Sequence, residues 1–98
     1  MAEYARVVTF KADAAALEAL VNEIKSAEGP PEGVPMKRIT VLADRSAGTV
    51  VVATRFGTED DLRRGSEALE AMSPPRDVGS ITRVSVDTYE VMLERAES

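Results

Sequence analysis

Few side chains in this chain can do chemistry, and their types narrow what that chemistry could be. There is no Cys and no His, so disulfide and thiolate chemistry, the commonest general base and the commonest zinc ligand are all missing. Arginine, carboxylate and phenol remain. Arg55 closes an apolar run, and Arg83, Asp87 and Tyr89 sit at even spacing along a later one. An arginine placed beside a developing anion stabilises it, and a tyrosine can hydrogen-bond it. A dense acidic cluster, Glu59-Asp60-Asp61, has two readings. As a metal site it is poor, because consecutive acids fan around a helix instead of converging on one ion. As a helix start it is good, because acids in the first turn suit the positive end of the helix dipole. The helix start is the stronger reading, and no metal is expected. The same acids repel any phosphate approaching that helix terminus.

Composition sets the frame for these groups. Ninety-eight residues make a single domain spanning residues 1–98, with room for only a modest core. A formal charge of −5, from 12 basic and 17 acidic residues, opposes loose binding to nucleic acid or to an anionic membrane. No apolar stretch reads as a secretory leader or is long enough to span a bilayer, so a cytoplasmic protein is expected.

The elements that must position the reactive groups are legible in order. Tyr4 to Lys11 is a strand with apolar residues on both faces, as for a strand covered on both sides. Asp13 is an N-cap, followed by Leu17, Leu20, Val21 and Ile24 as one helical stripe. Gly29, Pro30 and Pro31 end that helix. Ser26 to Pro35 is a connecting loop. Two β-branched runs, Ile39 to Ala43 and Thr49 to Thr54, flank Asp44-Arg45-Ser46-Ala47-Gly48 and read as a hairpin. The apolar run Val50-Val51-Val52 marks the second of these strands as central. Thr58 caps a second helix, with Asp61 at the capping-box position and Glu59–Arg63 and Asp60–Arg64 as i, i+4 pairs. Leu62, Leu69 and Met72 are its buried side, and Ser73-Pro74-Pro75 stops it. Arg76 to Gly79 connects to a last strand, Ser80 to Leu93, before a polar tail.

The order β-α-β-β-α-β, with right-handed crossovers, gives an α+β, ferredoxin-like fold: a four-stranded antiparallel sheet with two helices on one face. The other face is then bare. We assign to it Tyr4, Arg6, Val8 and Phe10 of the first strand, Thr49, Val51, Ala53 and Arg55 of the third, and Arg83, Ser85, Asp87 and Tyr89 of the fourth. The reason is that Arg6, Arg55 and Arg83 should stay out of the helix layer, where an unpaired charge is costly. An open apolar face of this kind marks an interface. Two copies placed face to face would cover it as an isologous homodimer.

The opening strand Tyr4-Ala5-Arg6-Val7-Val8-Thr9-Phe10, the run Gly48 to Phe56 leading into Thr58-Glu59-Asp60, and the closing Val86-Asp87-Thr88-Tyr89-Glu90-Val91 together resemble the dimeric α+β barrel superfamily. More narrowly, the chain is similar to antibiotic biosynthesis monooxygenase-like proteins. The resemblance implies a homodimeric barrel. It also implies one of two activities, cofactor-independent oxygenation of polycyclic aromatic substrates or oxidative haem breakdown. Phe56 stands where family members often carry Trp. The His on the second helix and the Asn on the first strand used by haem-degrading relatives are both missing, so haem degradation and a haem cofactor are not expected.

Three functions stay open. The first is a homodimer binding a small aromatic or polyketide-like molecule in a sheet–helix cleft lined by Thr54, Phe56, Ser66, Leu69, Met72, Val84 and Val86, residues that could equally be core filling. The second is a cofactor-free monooxygenase, with Arg83 or Arg55 stabilising a substrate anion and Tyr89 hydrogen-bonding it. On the face assignment above, these groups and Asp87 lie on the dimer side, where the arginines could instead form ion pairs with Asp87. The third is a non-catalytic interaction module. No cofactor is expected in any of the three.

Overall fold

The computed structural model describes residues 2–31, 33–71 and 80–97. Its elements are β1 (Glu3–Ala12), α1 (Ala14–Ser26), β2 (Met36–Asp44), β3 (Thr49–Phe56), α2 (Glu59–Glu70) and β4 (Ile81–Val91). They form one four-stranded sheet of order β2-β3-β1-β4, in which every neighbouring pair is antiparallel. This is the expected α+β, ferredoxin-like arrangement. No helix among the described residues is long and apolar enough to cross a membrane.

Local chemistry accounts for the element boundaries. Asp13 Oδ1 accepts from the Ala16 N–H at 2.8 Å and caps α1. The helix ends at Ser26, earlier than Gly29, because Ala27 turns into extended backbone and its N–H closes on the Ile24 carbonyl at 3.3 Å. In the hairpin, Asp44 Oδ1 accepts from the Ala47 N–H at 3.1 Å, and Gly48 takes φ +69°. That left-handed conformation costs glycine nothing. Thr58 Oγ1 accepts from the Asp61 N–H at 3.0 Å and caps α2. Arg64 binds Asp60 as expected, with Nε at 2.8 Å. Arg63 also binds Asp60 rather than Glu59. The helix stop at Ser73-Pro74-Pro75 and the connector Arg76 to Gly79 lie outside the described residues.

Strand register decides which residues share a face. Tyr4 lies opposite Phe56, Arg6 opposite Thr54 and Val8 opposite Val52, and directly opposed residues point the same way. Arg6, Val8, Val50, Thr54 and Phe56 are all buried. Gly65 of α2 rests on the Phe56 ring, and Leu17 of α1 shares a small hollow with Val50. Both helices therefore cover this face. The placement of Tyr4, Arg6, Val8 and Phe10 on the open face is overturned. Its premise was that a charge under the helices would be unpaired, but Glu70 of α2 accepts from Arg6 Nη2 at 3.1 Å.

A second correction concerns β4. Its pairing with β1 shifts between Thr9, opposite Ser85, and Phe10, opposite Arg83. Val84 is the extra residue of a β-bulge, which reverses the alternation along the strand. Arg83 therefore lies on the helix side, where Nη1 binds both oxygens of Glu70 at 2.7 Å. The other expected open-face residues stay there: Thr49, Val51, Ala53 and Arg55 on β3, and Ser85, Asp87 and Tyr89 on β4. Ala5, Val7 and Thr9 represent β1 on that side.

Candidate functional site: a cleft between the second helix and the sheet

Among the described residues, none of those expected to line a sheet–helix pocket borders either of the two hollows described below. Thr54 is 3% exposed and Phe56 0%, so both are core. The Phe56 ring occupies the space that a side chain on residue 65 would need. Ser66, Leu69 and Val86 are half-buried. Val84 is exposed at the bulge, and Met72 lies outside the described residues. Aromatic filling has closed the middle of the helix–sheet layer.

An open cleft lies nearer the start of α2. It encloses about 350 Å³ and is lined by Tyr4, Glu59, Leu62, Thr88, Tyr89 and Glu90. Tyr4 and Glu90 are cross-strand partners on the helix-covered face, and Thr88 lies two residues from Glu90 on that face. Glu59 and Leu62 are in the first turn of α2. The Tyr4 phenol is pushed above its ordinary pKa, first by partial desolvation, then by the nearby charges of Glu59 and Glu90 and a hydrogen bond to Glu59. It therefore stays protonated and acts as a donor. Glu59 and Glu90 are acceptors, and Leu62 gives the cleft an apolar wall. Such a cleft suits a ligand with an apolar body and hydroxyl or amine donors. A second hollow, of about 50 Å³, lies between α1 and the hairpin turn, lined by residues that include Asp13, Leu17, Arg45 and Val50. It has room for little beyond water.

Of the four polar candidates, only Tyr89 borders the larger cleft. Asp87 lies opposite Val7 on the open face. Arg55 is on that face too, inside a network of charges. Its Nη1 binds Glu94 at 2.8 Å and Glu3 at 3.2 Å. Lys37 binds Glu3 at 2.6 Å, and Arg38 binds Glu94 at 3.1 Å. These contacts hold the Glu3 carboxyl below its ordinary pKa, Lys37 chiefly and then Arg55. They raise the Arg55 pKa, through Glu94 first and then Glu3. The network fringes an apolar centre of Val7, Val51 and Ala53, flanked by Leu42 at 57% exposure and Tyr89 at 56%.

The reactive group missed in the sequence is Arg6. It is 6% exposed on a central strand, and it shares Glu70 with Arg83. Glu70 is held below its ordinary pKa by the Arg83 hydrogen bond first, with Arg6 adding to it. The available signal was a lone cation on the face of the strand that carries Tyr4, Val8 and Phe10. Among the described residues, no group of three or more carboxylates is placed to hold a metal ion. No protein-family model, curated protein or solved structure matches the chain.

Proposed function

We propose that the chain acts as a homodimer that binds a small hydroxyl-bearing aromatic molecule in the cleft between α2 and the β1–β4 pair. The observation that carries this reading is the cleft itself, with Leu62 as an apolar wall and Tyr4, Glu59, Thr88 and Glu90 as its polar groups. Flat aromatic ligands gain most of their affinity from apolar contact, and a few fixed polar groups orient them. Acceptors dominate here, which favours phenols over neutral hydrocarbons.

Dimerisation follows from the uneven covering of the sheet. One face carries both helices. The other offers Val7, Val51, Ala53 and Leu42 to solvent, with the Glu3, Arg38, Arg55 and Glu94 charges at one end. An apolar centre with a charged rim is the usual anatomy of a protein interface. A second copy, sheet against sheet, produces the dimeric α+β barrel that the sequence resembles. The cofactor-free monooxygenase alternative needs a cation able to stabilise a substrate anion. Arg55 and Arg83 are each engaged by carboxylates, and neither borders the cleft, so the binding reading is preferred.

Two measurements test the proposal. Sedimentation velocity should show a dimer for the wild-type chain and a monomer for Val51→Asp, which would bury an unpaired carboxylate between the copies. A wild-type monomer at micromolar concentration would remove the dimer. Calorimetric titration with 3-hydroxy-2-naphthamide should show binding that Leu62→Arg abolishes. Absence of wild-type binding, or equal binding by the variant, would remove the cleft.

A further inference from the structure

The cleft beside α2 carries charge of one sign only. Glu59 comes from the first turn of α2 and Glu90 from β4, so two separate elements each present a carboxylate to one hollow. Among the described residues, no basic side chain lines it. Nor does either carboxylate belong to an ion pair among those residues. Arg63 and Arg64, one turn beyond Glu59 on the same helix, both bind Asp60 instead. Glu3, Glu70 and Glu94, by contrast, are each engaged by a lysine or an arginine.

The two carboxylates act on the same part of the cleft, since the charges of both help to raise the Tyr4 phenol above its ordinary pKa, after desolvation. The positive end of α2 opposes them, but it amounts to about half an elementary charge against two full negative ones. The formal net charge of −5 attracts cations from further away. The rest of the lining suits the body of an organic cation. Leu62 is an apolar wall, and Tyr4 and Tyr89 bring two aromatic rings, whose faces attract positive charge.

We infer that the cleft selects a protonated amine, a hydroxyl-bearing arylalkylamine whose ammonium group is held by Glu59 and Glu90. The inference rests on the cleft reading above and narrows its ligand to a charge class. An ammonium has three donors and no acceptor, which matches a hollow whose charged groups only accept. The ligand ring lies against Leu62 and Tyr89, and its hydroxyl meets Thr88. A single ring with a two-carbon amine arm fits within about 350 Å³. A ligand carrying a carboxylate in place of the amine would be repelled by the same two groups.

The test is a calorimetric comparison of 4-(2-aminoethyl)phenol with its neutral isostere 4-(2-hydroxyethyl)phenol. The wild-type chain should bind the amine tighter by about fivefold or more, the scale of two solvent-exposed ion pairs, and the ratio should shrink in 0.5 M NaCl, where exposed charges are screened. Glu59→Gln and Glu90→Gln should each lower the ratio, and the double variant should bring it to near one. Both side chains are exposed, so these variants fold. If the wild type binds amine and alcohol equally, the charge selection is refuted and the cleft remains. If the preference survives in the double variant, the amine is held elsewhere and the inference fails. If neither phenol binds while 3-hydroxy-2-naphthamide does, the inference fails alone. If none of the three binds, the inference and the cleft fail together.

Discussion

Replacing Gly65 by alanine should destabilise the protein, although alanine is the better helix former. An ideal Cβ built on Gly65 would lie 2.3 Å from Phe56 Cε1 and 2.7 Å from Cζ. Carbon atoms in contact normally sit ~3.5–4.0 Å apart, so the ring or the helix must retreat by more than about 1 Å. Phe56 is 0% exposed and Gly65 is buried against it, so neither has free space to enter. The helix gains about 1 kcal/mol from losing a glycine. Overpacking a filled core costs about 1–3 kcal/mol, and a clash this deep falls in the upper part of that range. The net loss is about 1–2 kcal/mol, which for a domain of this size lowers Tm by roughly 5–15 °C. Thermal unfolding followed by circular dichroism reads this directly. Phe56→Leu in the same chain should relieve the clash, giving a favourable coupling on the order of 1 kcal/mol in a double-mutant cycle. Gly29→Ala is the control, since a Cβ there meets nothing within 4 Å. It should stay within about 0.5 kcal/mol of wild type. A Gly65→Ala chain that melts at or above the wild-type temperature would refute the packing argument.

Two further outcomes follow from the hydrogen bonds. Asp13→Ala removes the acceptor for the Ala16 and Ser80 N–H groups and should cost about 1–2 kcal/mol in urea unfolding, as losing a helix N-cap does; an unchanged midpoint would contradict the capping role. Glu70 has a folded pKa below its ordinary value, chiefly through Arg83. A carboxylate depressed on folding contributes stability in full above its unfolded pKa, and this is lost as pH falls through the folded one. Glu70→Gln should therefore lower the urea midpoint at pH 7, with the gap to wild type closing on acidification below the ordinary carboxylate range. A gap that stays constant with pH would show that the charge is not what matters.

Much of this architecture is readable from local pattern. Asp13, Asp44, Gly48 and Thr58 each perform the backbone task that their residue type suggests, because a cap or a turn is decided within a few neighbouring residues. The faces were harder. Arg6 looked unsuited to the helix layer until Glu70, 64 residues away, supplied a partner, and no local rule anticipates a contact that distant. The Val84 bulge is similar. Strict alternation put Arg83 with Asp87 and Tyr89, and one extra residue turned it to the other side. The hollow beside α2 shares no lining residue with the pocket expected between sheet and helix. Phe56 was placed among its lining residues, whereas the ring packs beneath Gly65 and fills that space. Tyr4, Glu59, Leu62, Thr88 and Glu90 come together only through the register of β1 with β4 and the seating of α2.

The carboxylate of Asp13 also carries a consequence for how the chain assembles. One oxygen serves α1 and the other the Ser80 N–H at 2.9 Å, while the Asp13 N–H reaches the Ser80 carbonyl at 3.0 Å. The onset of the first helix is thus tied to the onset of the last strand, a loop closure spanning 67 residues. Closures of that length come late, after shorter-range contacts have formed. A growing chain can pair β1 with β3 and seat α1 against Val50 early, but the tie between Asp13 and Ser80 closes only once β4 has been made.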